Sequence, residues 1–236
     1  VCLEMGGKNP AVVLDDAENL DMVAAHIVNG AYWNMGENCS ASSRLIVQSG
    51  VKEKLLPLII AHAREWPMGD PLDPVNRVGS LVSKQHFDKV SSYLDGSPHI
   101  RMGGATKDGI FVEPTILEIS DRNAKCVREE IFGPVLSVIT VNSFDEAIEL
   151  ANDTQYGLAA SIFTANVKRA IRGARSIRAG TVTVNNFGEG DNATPFGGYK
   201  QSGFGGRDNG IHAHDQYTQL KTIWINLEDD DDQAVV

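Results

Sequence analysis

The chain has 236 residues, 42% of them hydrophobic and 22% charged, and a net charge of −10. Such a chain can bury one sizeable core and has the composition of a globular protein. Its acidic balance offers no basic stripe to a nucleic acid, argues against an anionic membrane surface, and comes with no apolar run near the roughly 18 residues that would span a bilayer.

The opening VCLEMGGKNP reads as the end of a strand followed by a Gly-Gly turn. It starts without Met and without a signal peptide, as the later part of a longer protein would. AVVLDD, Ala11 to Asp16, is strand-like. Apolar residues then recur at Leu20, Val23, Ala24, Ile27, Val28 and Ala31, which predicts a helix over Asn19 to Asn34, capped by Asn19 and ended at Gly36. SRLIVQ predicts a strand, Val51 to Arg64 an amphipathic helix stopped near Pro67, and MGDPLDP a turn-rich loop. Lys84 to Leu94 predicts another helix, and FVEPTIL an extended segment that Pro114 places at a sheet edge.

After Gly133-Pro134 the rhythm is regular. LSVITV, AASIFT and GTVTVN alternate as strands with helical patterns over Phe144 to Asn152 and Val167 to Ile177. Strand, helix, strand is the signature of parallel crossovers, so the fold class is α/β: a mostly parallel twisted sheet flanked by helices. Sites in such sheets gather at the carboxyl ends of strands, which makes the Gly-rich FGEGDNATPFGGYKQSGFGG after GTVTVN a candidate site loop. KTIWIN reads as an edge strand that pairs with another subunit. Glu228 to Asp232 reads as a solvated acidic tail.

Three scattered cysteines form no disulfide framework, and no Cys/His cluster has zinc spacing, so no metal is expected and a reducing cytoplasm is the default. His212 and His214, two apart on a helix-like stretch, diverge. Cys39 stands among Ser40, Ala41, Ser42 and Ser43, small residues that leave room for a substrate carbon; it reads either as an inert spacer or as a nucleophile. Cys2 and Cys126 read as structural. Glu4 before Gly6-Gly7 reads as a general base or as an ordinary turn-side carboxylate. Glu130 reads as a functional or a surface carboxylate, and Phe132 as a core aromatic. PFGGYKQSG taken alone is a flexible loop.

In order, the blocks LEMGGKNP, GENCSASSR, REEIFGPV, NDTQYGLAASIFT, GTVTVNN and PFGGYKQSG resemble the NAD(P)-dependent aldehyde dehydrogenase superfamily, over Leu3 to about Asn226. The closing KQSGFGGRDNGIHAHDQYTQLKTIWINLE is most similar to the group acting on γ-glutamyl-γ-aminobutyraldehyde and related ω-aminoaldehydes. The resemblance implies oxidation of an aldehyde to its acid with NAD or NADP. It implies Cys39 as nucleophile, its backbone N–H as an oxyanion donor, and Glu4 as the base that activates water. It implies Glu130 at the nicotinamide-side ribose with Phe132 packed beside it, Gly6 and Gly7 as the turn by the nicotinamide, and Phe196 in the substrate tunnel. Asn38 and Ser40, flanking Cys39, are further candidate substrate contacts. Glu189 and Asp191 would attract a substrate amine or are a solvated acidic loop.

The resemblance further implies a division into residues 1–5, the last strand of a cofactor-binding domain lying upstream; residues 6–200, the catalytic domain; residues 201–220, returning to the cofactor domain; and residues 221–236, an oligomerisation strand and tail of a homodimer or homotetramer. There are departures. Glu37 stands where the family's usual block has Gln, and SGFGGRD carries an extra Gly and Asp208 where Glu is common. The upstream half and its oxyanion-hole Asn lie outside this chain. The rival expectations are an inactive isolated domain, an enzyme that passes the acyl group to coenzyme A (which Glu4 argues against), and a non-catalytic relative.

Overall fold

The computed structural model describes residues 1–227 apart from 96, 98 and 189. Glu189 and the acidic run from residue 228 onward therefore lie outside the described residues. The strands are β1 (Leu3–Glu4), β2 (Pro10–Val13), β3 (Arg44–Gln48), β4 (Ile100–Met102), β5 (Thr106–Lys107), β6 (Phe111–Val112), β7 (Thr115–Glu118), β8 (Val135–Val141), β9 (Ala159–Phe163), β10 (Thr181–Val184) and β11 (Gly203–Phe204). The α-helices are α1 (Leu20–Tyr32), α2 (Ser49–Arg64), α3 (Lys84–Ser91), α4 (Lys125–Arg128), α5 (Phe144–Asn152) and α6 (Val167–Ser176). Each long element matches its predicted counterpart to within a few residues at either end.

The main sheet runs β10-β9-β2-β3-β8-β7-β4, with every neighbouring pair parallel except β4 with β7. Its inner strands are apolar on both faces because helices cover both sides. Ala11 and Val13 of β2, Leu45 and Val47 of β3, and Leu136 and Val138 of β8 pack against α1 and α2. Val12, Ile46, Val135 and Ile139 face the other way, onto residues of α3, α4 and α5. α5 starts as the sequence SFDE dictates: Ser143 Oγ accepts the Glu146 N–H, and Glu146 Oε2 accepts the Asn142 N–H.

Two expectations are corrected. β7 is not an edge: it lies between β8 and β4. Pro114 falls just before the strand, where its missing N–H costs no ladder bond, and it divides the predicted extended segment into β6 and β7. Residues 221–227, expected to pair with another subunit rather than within the chain, form no strand within it. His212 and His214 sit on a 3-10 turn, Ile211–Gln216, rather than an α-helix. β1 and β11 form a separate antiparallel ribbon, Leu3 opposite Phe204, extended by the Met5 N–H to the Ser202 carbonyl.

Parallel register decides where the quoted blocks meet. Pro10 pairs with Arg44 and Arg44 with Ser137, so the segments that enter β2, β3 and β8 emerge side by side at one end of the sheet. Those segments are LEMGGKN, GENCSASS and REEIFGP. The Gly-rich chain after β10 runs back to the same end, where the Tyr199 N–H bonds the Gly157 carbonyl and Gly157 N–H bonds Ser202 Oγ.

Candidate active site at the amino end of the sheet

A cavity of about 450 Å3 opens at this amino end, lined by Glu4, Met5, Gly6, Cys39, His86, Lys89, Glu130 and Phe132. The site thus lies at the opposite end of the strands from the one the general rule for open α/β sheets names. The residues that carry it are on entry loops, and in-register neighbours bring entry loops together at amino ends. A larger cleft of about 590 Å3 at the carboxyl end, lined by Arg101, Glu118, Arg122 and Glu146 among others, has no cysteine in its lining.

Cys39 is half-buried and outside any disulfide. Its loop follows a reversal in which Asn34, Met35 and Gly36 all take positive φ, at 52°, 58° and 69°. Two of them are not glycine, so the turn is strained, and the Asn34 side chain holds it by donating to the Glu37 carbonyl at 2.8 Å. The loop backbone is pinned by Asn9, which the motif reading missed. Its buried amide donates to the carbonyls of Cys39 (2.8 Å) and Ala41 (2.9 Å), while its oxygen accepts the Ala159 N–H at 3.0 Å. One side chain so ties the entries to β2, β3 and β9 together. Arg44 adds a second clamp: fully buried, it donates to the carbonyls of Lys8, Leu150 and Ala151.

Gly6 and Gly7 are explained by close approach, not by unusual φ. The Glu130 carboxylate lies on Gly6, where a Cβ would overlap it, and accepts the Gly7 N–H at 2.8 Å. A Cβ on Gly7 would come within 2.5 Å of the Cys39 carbonyl oxygen. The Gly-Gly turn is therefore sandwiched between Glu130 and the Cys39 backbone.

Glu4 is exposed, with its carboxylate toward Gly197, Gly198 and Gly203. Partial burial raises its pKa above the ordinary carboxylate value and the nearby Asp208 adds to this, against the opposing effects of Arg207 and the Gly198 N–H. Lys8 is fully buried, and its ammonium nitrogen has no hydrogen-bond partner among the described residues. Burial, helped by the like charge of Arg44, pulls its pKa down to about 7. Burial likewise pushes the Cys126 thiol up, which keeps that cysteine unreactive.

The other predicted residues are placed as follows. Ser40 is buried and its hydroxyl donates to Asn38 Oδ1, so both serve the local turn. Phe196 is half-buried and pairs with Asp208 through two backbone bonds beside the Glu4 ribbon. Asp191 is exposed and its carboxylate accepts the Ala193 N–H, shaping its own turn. Phe196, Asp191, Asn38 and Ser40 are not among the residues that line the Cys39 cavity. No group of three His, Cys, Asp or Glu side chains that could hold a metal occurs among the described residues, and no described helix is long and apolar enough to cross a membrane.

With Cys39, the carboxylates and the glycine turn in one place, comparison with known proteins is decisive. The sequence profile of the Aldehyde dehydrogenase family matches residues 1–223. The chain belongs to the aldehyde dehydrogenase family. It is 64% identical over 230 residues to the aminoacetaldehyde dehydrogenase of Pseudomonas aeruginosa, covering 96% of this chain and 46% of that protein. It is 41% identical over 232 residues to the NADP/NAD-dependent aldehyde dehydrogenase PuuC of Escherichia coli, covering 97% and 47%. The crystal structure of a γ-glutamyl-γ-aminobutyraldehyde dehydrogenase from Burkholderia cenocepacia superposes with a TM-score of 0.89 at 45% identity, covering 93% of this chain and 46% of that one. This aldehyde dehydrogenase chain spans about half the length of the relatives it matches.

Proposed function

We propose that this chain is the catalytic part of an enzyme that oxidises an aldehyde, with ω-aminoaldehydes as the preferred class, to the carboxylic acid using NAD or NADP. The observation that carries the reading is the shared cavity: Cys39 and Glu4 line one opening together with Glu130 and Phe132. The cofactor test is met by the same residues. A carboxylate held rigidly by the Gly7 N–H suits ribose hydroxyls, Lys89 brings a cation, and Phe132 an aromatic surface.

In this reading the Cys39 thiolate attacks the aldehyde carbon, forming a C–S bond and an oxyanion that the Cys39 backbone N–H receives. A nicotinamide held beside Glu130 and Phe132 would supply the hydride acceptor for that carbon. The product on Cys39 is a thioester. Glu4 then removes a proton from water, the water oxygen bonds the acyl carbon, the C–S bond breaks, and the acid leaves with the thiol regenerated. A hydrolytic base in the cavity favours water over coenzyme A as acceptor. The raised pKa of Glu4 gives a sign: protonated Glu4 cannot accept a proton, so hydrolysis falls with acid, beginning above the pH at which an ordinary carboxylate would titrate.

The aminoaldehyde preference rests on the names of the two aminoaldehyde relatives and on Glu189 and Asp191. For Asp191 the turn it caps is the competing role. Because the chain spans about half the length of its relatives, we also propose negligible dehydrogenase turnover by the 236 residues alone. Ile223, Trp224 and Ile225, all exposed, are proposed to pair with a second copy in the full-length enzyme.

The deciding experiment compares full-length wild type, Cys39→Ala and Glu4→Gln with a panel of aldehydes. Cys39→Ala should lose all NAD(P)H production. Glu4→Gln should release about one equivalent of NAD(P)H per site and then stall, its acyl group held on Cys39 and visible by mass spectrometry. Turnover by Cys39→Ala would end the reading. A separate comparison tests the substrate class: Glu189→Gln with Asp191→Asn should erode the preference for an aminoaldehyde over an alkyl aldehyde, and an unchanged preference removes the two carboxylates from the account.

A further inference from the structure

Glu37, the residue that departs from the family's usual Gln, has an ordered role. Its side chain is 9% exposed, and one oxygen accepts the Val82 N–H at 3.1 Å while lying 3.4 Å from His86 Nε2. Val82 immediately precedes Ser83, the cap of α3, so Glu37 fixes where that helix begins. His86, in the first turn of α3 and 14% exposed, reaches in the other direction as well. Its Nε2 is 2.5 Å from the carbonyl oxygen of Phe132, and its ring meets the Phe132 ring edge-on at 6.0 Å. The Phe132 carbonyl can only accept, so Nε2 is the donor of that bond, and the Glu37 carboxylate lies beside it at 3.4 Å.

Phe132 needs such a hold. It is a non-glycine residue at φ 60°, a conformation costing roughly 1–3 kcal/mol that persists only where surroundings enforce it. The two loops also touch directly: a Cβ on Gly36 would overlap the Gly133 carbonyl. The loop bearing Cys39 and the loop bearing Phe132 are thus in backbone contact and are bridged by one carboxylate and one imidazole.

We propose that Glu37 and His86 are a pair of positioning residues that lock the nucleophile loop to the cofactor-facing wall, so that Cys39 reactivity and dinucleotide affinity depend on the same bridge. The inference rests on the functional reading above for what the wall faces. The pair acts through the Phe132 carbonyl, through the start of α3 and through the backbone two residues before Cys39.

The test uses the full-length protein with two readouts that do not require turnover. One is the rate of Cys39 alkylation by iodoacetamide, read by peptide mass spectrometry. The other is the dissociation constant for NAD+ and for NADP+ by direct titration. Glu37→Leu and His86→Phe should each weaken dinucleotide binding about five- to tenfold, the loss of one well-placed hydrogen bond, and each should change the alkylation rate. Glu37→Gln keeps an oxygen for the Val82 N–H and should stay within about twofold of wild type. The Glu37→Leu/His86→Phe double variant should be no worse than the worse single, because both remove one bridge.

Multiplicative effects in the double variant overturn the proposal, and so do single variants that leave both readouts unchanged. If His86→Phe does not fold, His86→Gln, which retains an N–H donor, takes its place and must bind dinucleotide nearly as wild type; a loss there also overturns it. If the full-length protein oxidises no aldehyde, the functional reading fails, while the alkylation rates still decide whether the bridge exists.

Discussion

The two ends of the same parallel sheet are built by different means. At the carboxyl end, side chains of opposite charge meet across strand ends, helices and turns: Asp15 and Asp16 with Arg169, Glu118 with Arg101 and Lys52, Glu146 with Arg122. Most of these side chains are partly exposed, and such pairs contribute little. At the amino end, polarity is buried and the backbone is the main partner. Asn9 and Arg44 each bond three backbone groups, Lys8 is enclosed without a hydrogen-bond partner among the described residues, and glycines admit Glu130 and the Cys39 carbonyl where no Cβ fits. One end can exchange its residues at small cost. The other is fixed by geometry and holds desolvated charge and strained φ, and that end carries the cavity with the cysteine.

The sharpest way to break this contrast is Asn9→Asp. The substitution keeps the shape but replaces two donated hydrogen bonds with a buried carboxylate facing the carbonyls of Cys39 and Ala41. Cys39 alkylation should slow by at least about tenfold, and turnover of the full-length enzyme by on the order of a hundredfold, the scale of a misplacement near 1 Å. Unaltered alkylation would mean that Asn9 does not set the nucleophile's position.

Lys8→Met probes the buried charge. Between about 7, the folded value, and 10.5, the ordinary one, the unfolded chain binds a proton that the folded chain has lost. Stability therefore rises with pH through that window, by up to about 1 kcal/mol per pH unit, and the burial penalty stands in full below it. Urea midpoints at pH 7, 8 and 9 should climb for wild type and be flatter for Lys8→Met, with the variant the more stable at pH 7. Parallel profiles would show that Lys8 is not buried as a titrating amine. The smallest effect is expected from Arg169→Ala at the far end: a shift of the unfolding midpoint that vanishes in high salt, and no change at Cys39.

Much of this was legible beforehand. The apolar rhythm from Leu136 to Val184 contains the crossover units almost residue for residue, because strands covered on both faces leave continuous apolar runs. Cys39, Glu4, Glu130 and Phe132 were legible through their blocks, and the cavity unites them. What escaped was relational. Neighbour order β2-β3-β8 is not written in any single segment, so the gathering of the Cys39, Glu4 and Glu130 loops at the amino end is visible only in the fold. Asn9 and Arg44 drew no separate reading within their blocks. Their roles consist of bonds to carbonyls 32, 106 and 107 positions away, which no local pattern records. Pro114 misled because its penalty applies inside a ladder, and it stands one residue outside.

The in-register pairing of Pro10 with Arg44 and of Arg44 with Ser137 has a last implication. A slip of one residue in any of these three strands would move its entry loop by about 3.3 Å and turn its apolar side chains to the wrong helix layer. The slipped chain would be penalised in its core before it could misalign a thiol and a carboxylate. Hydrophobic burial thereby acts as the gauge that spaces the chemical groups, and a correctly folded molecule is already a calibrated one.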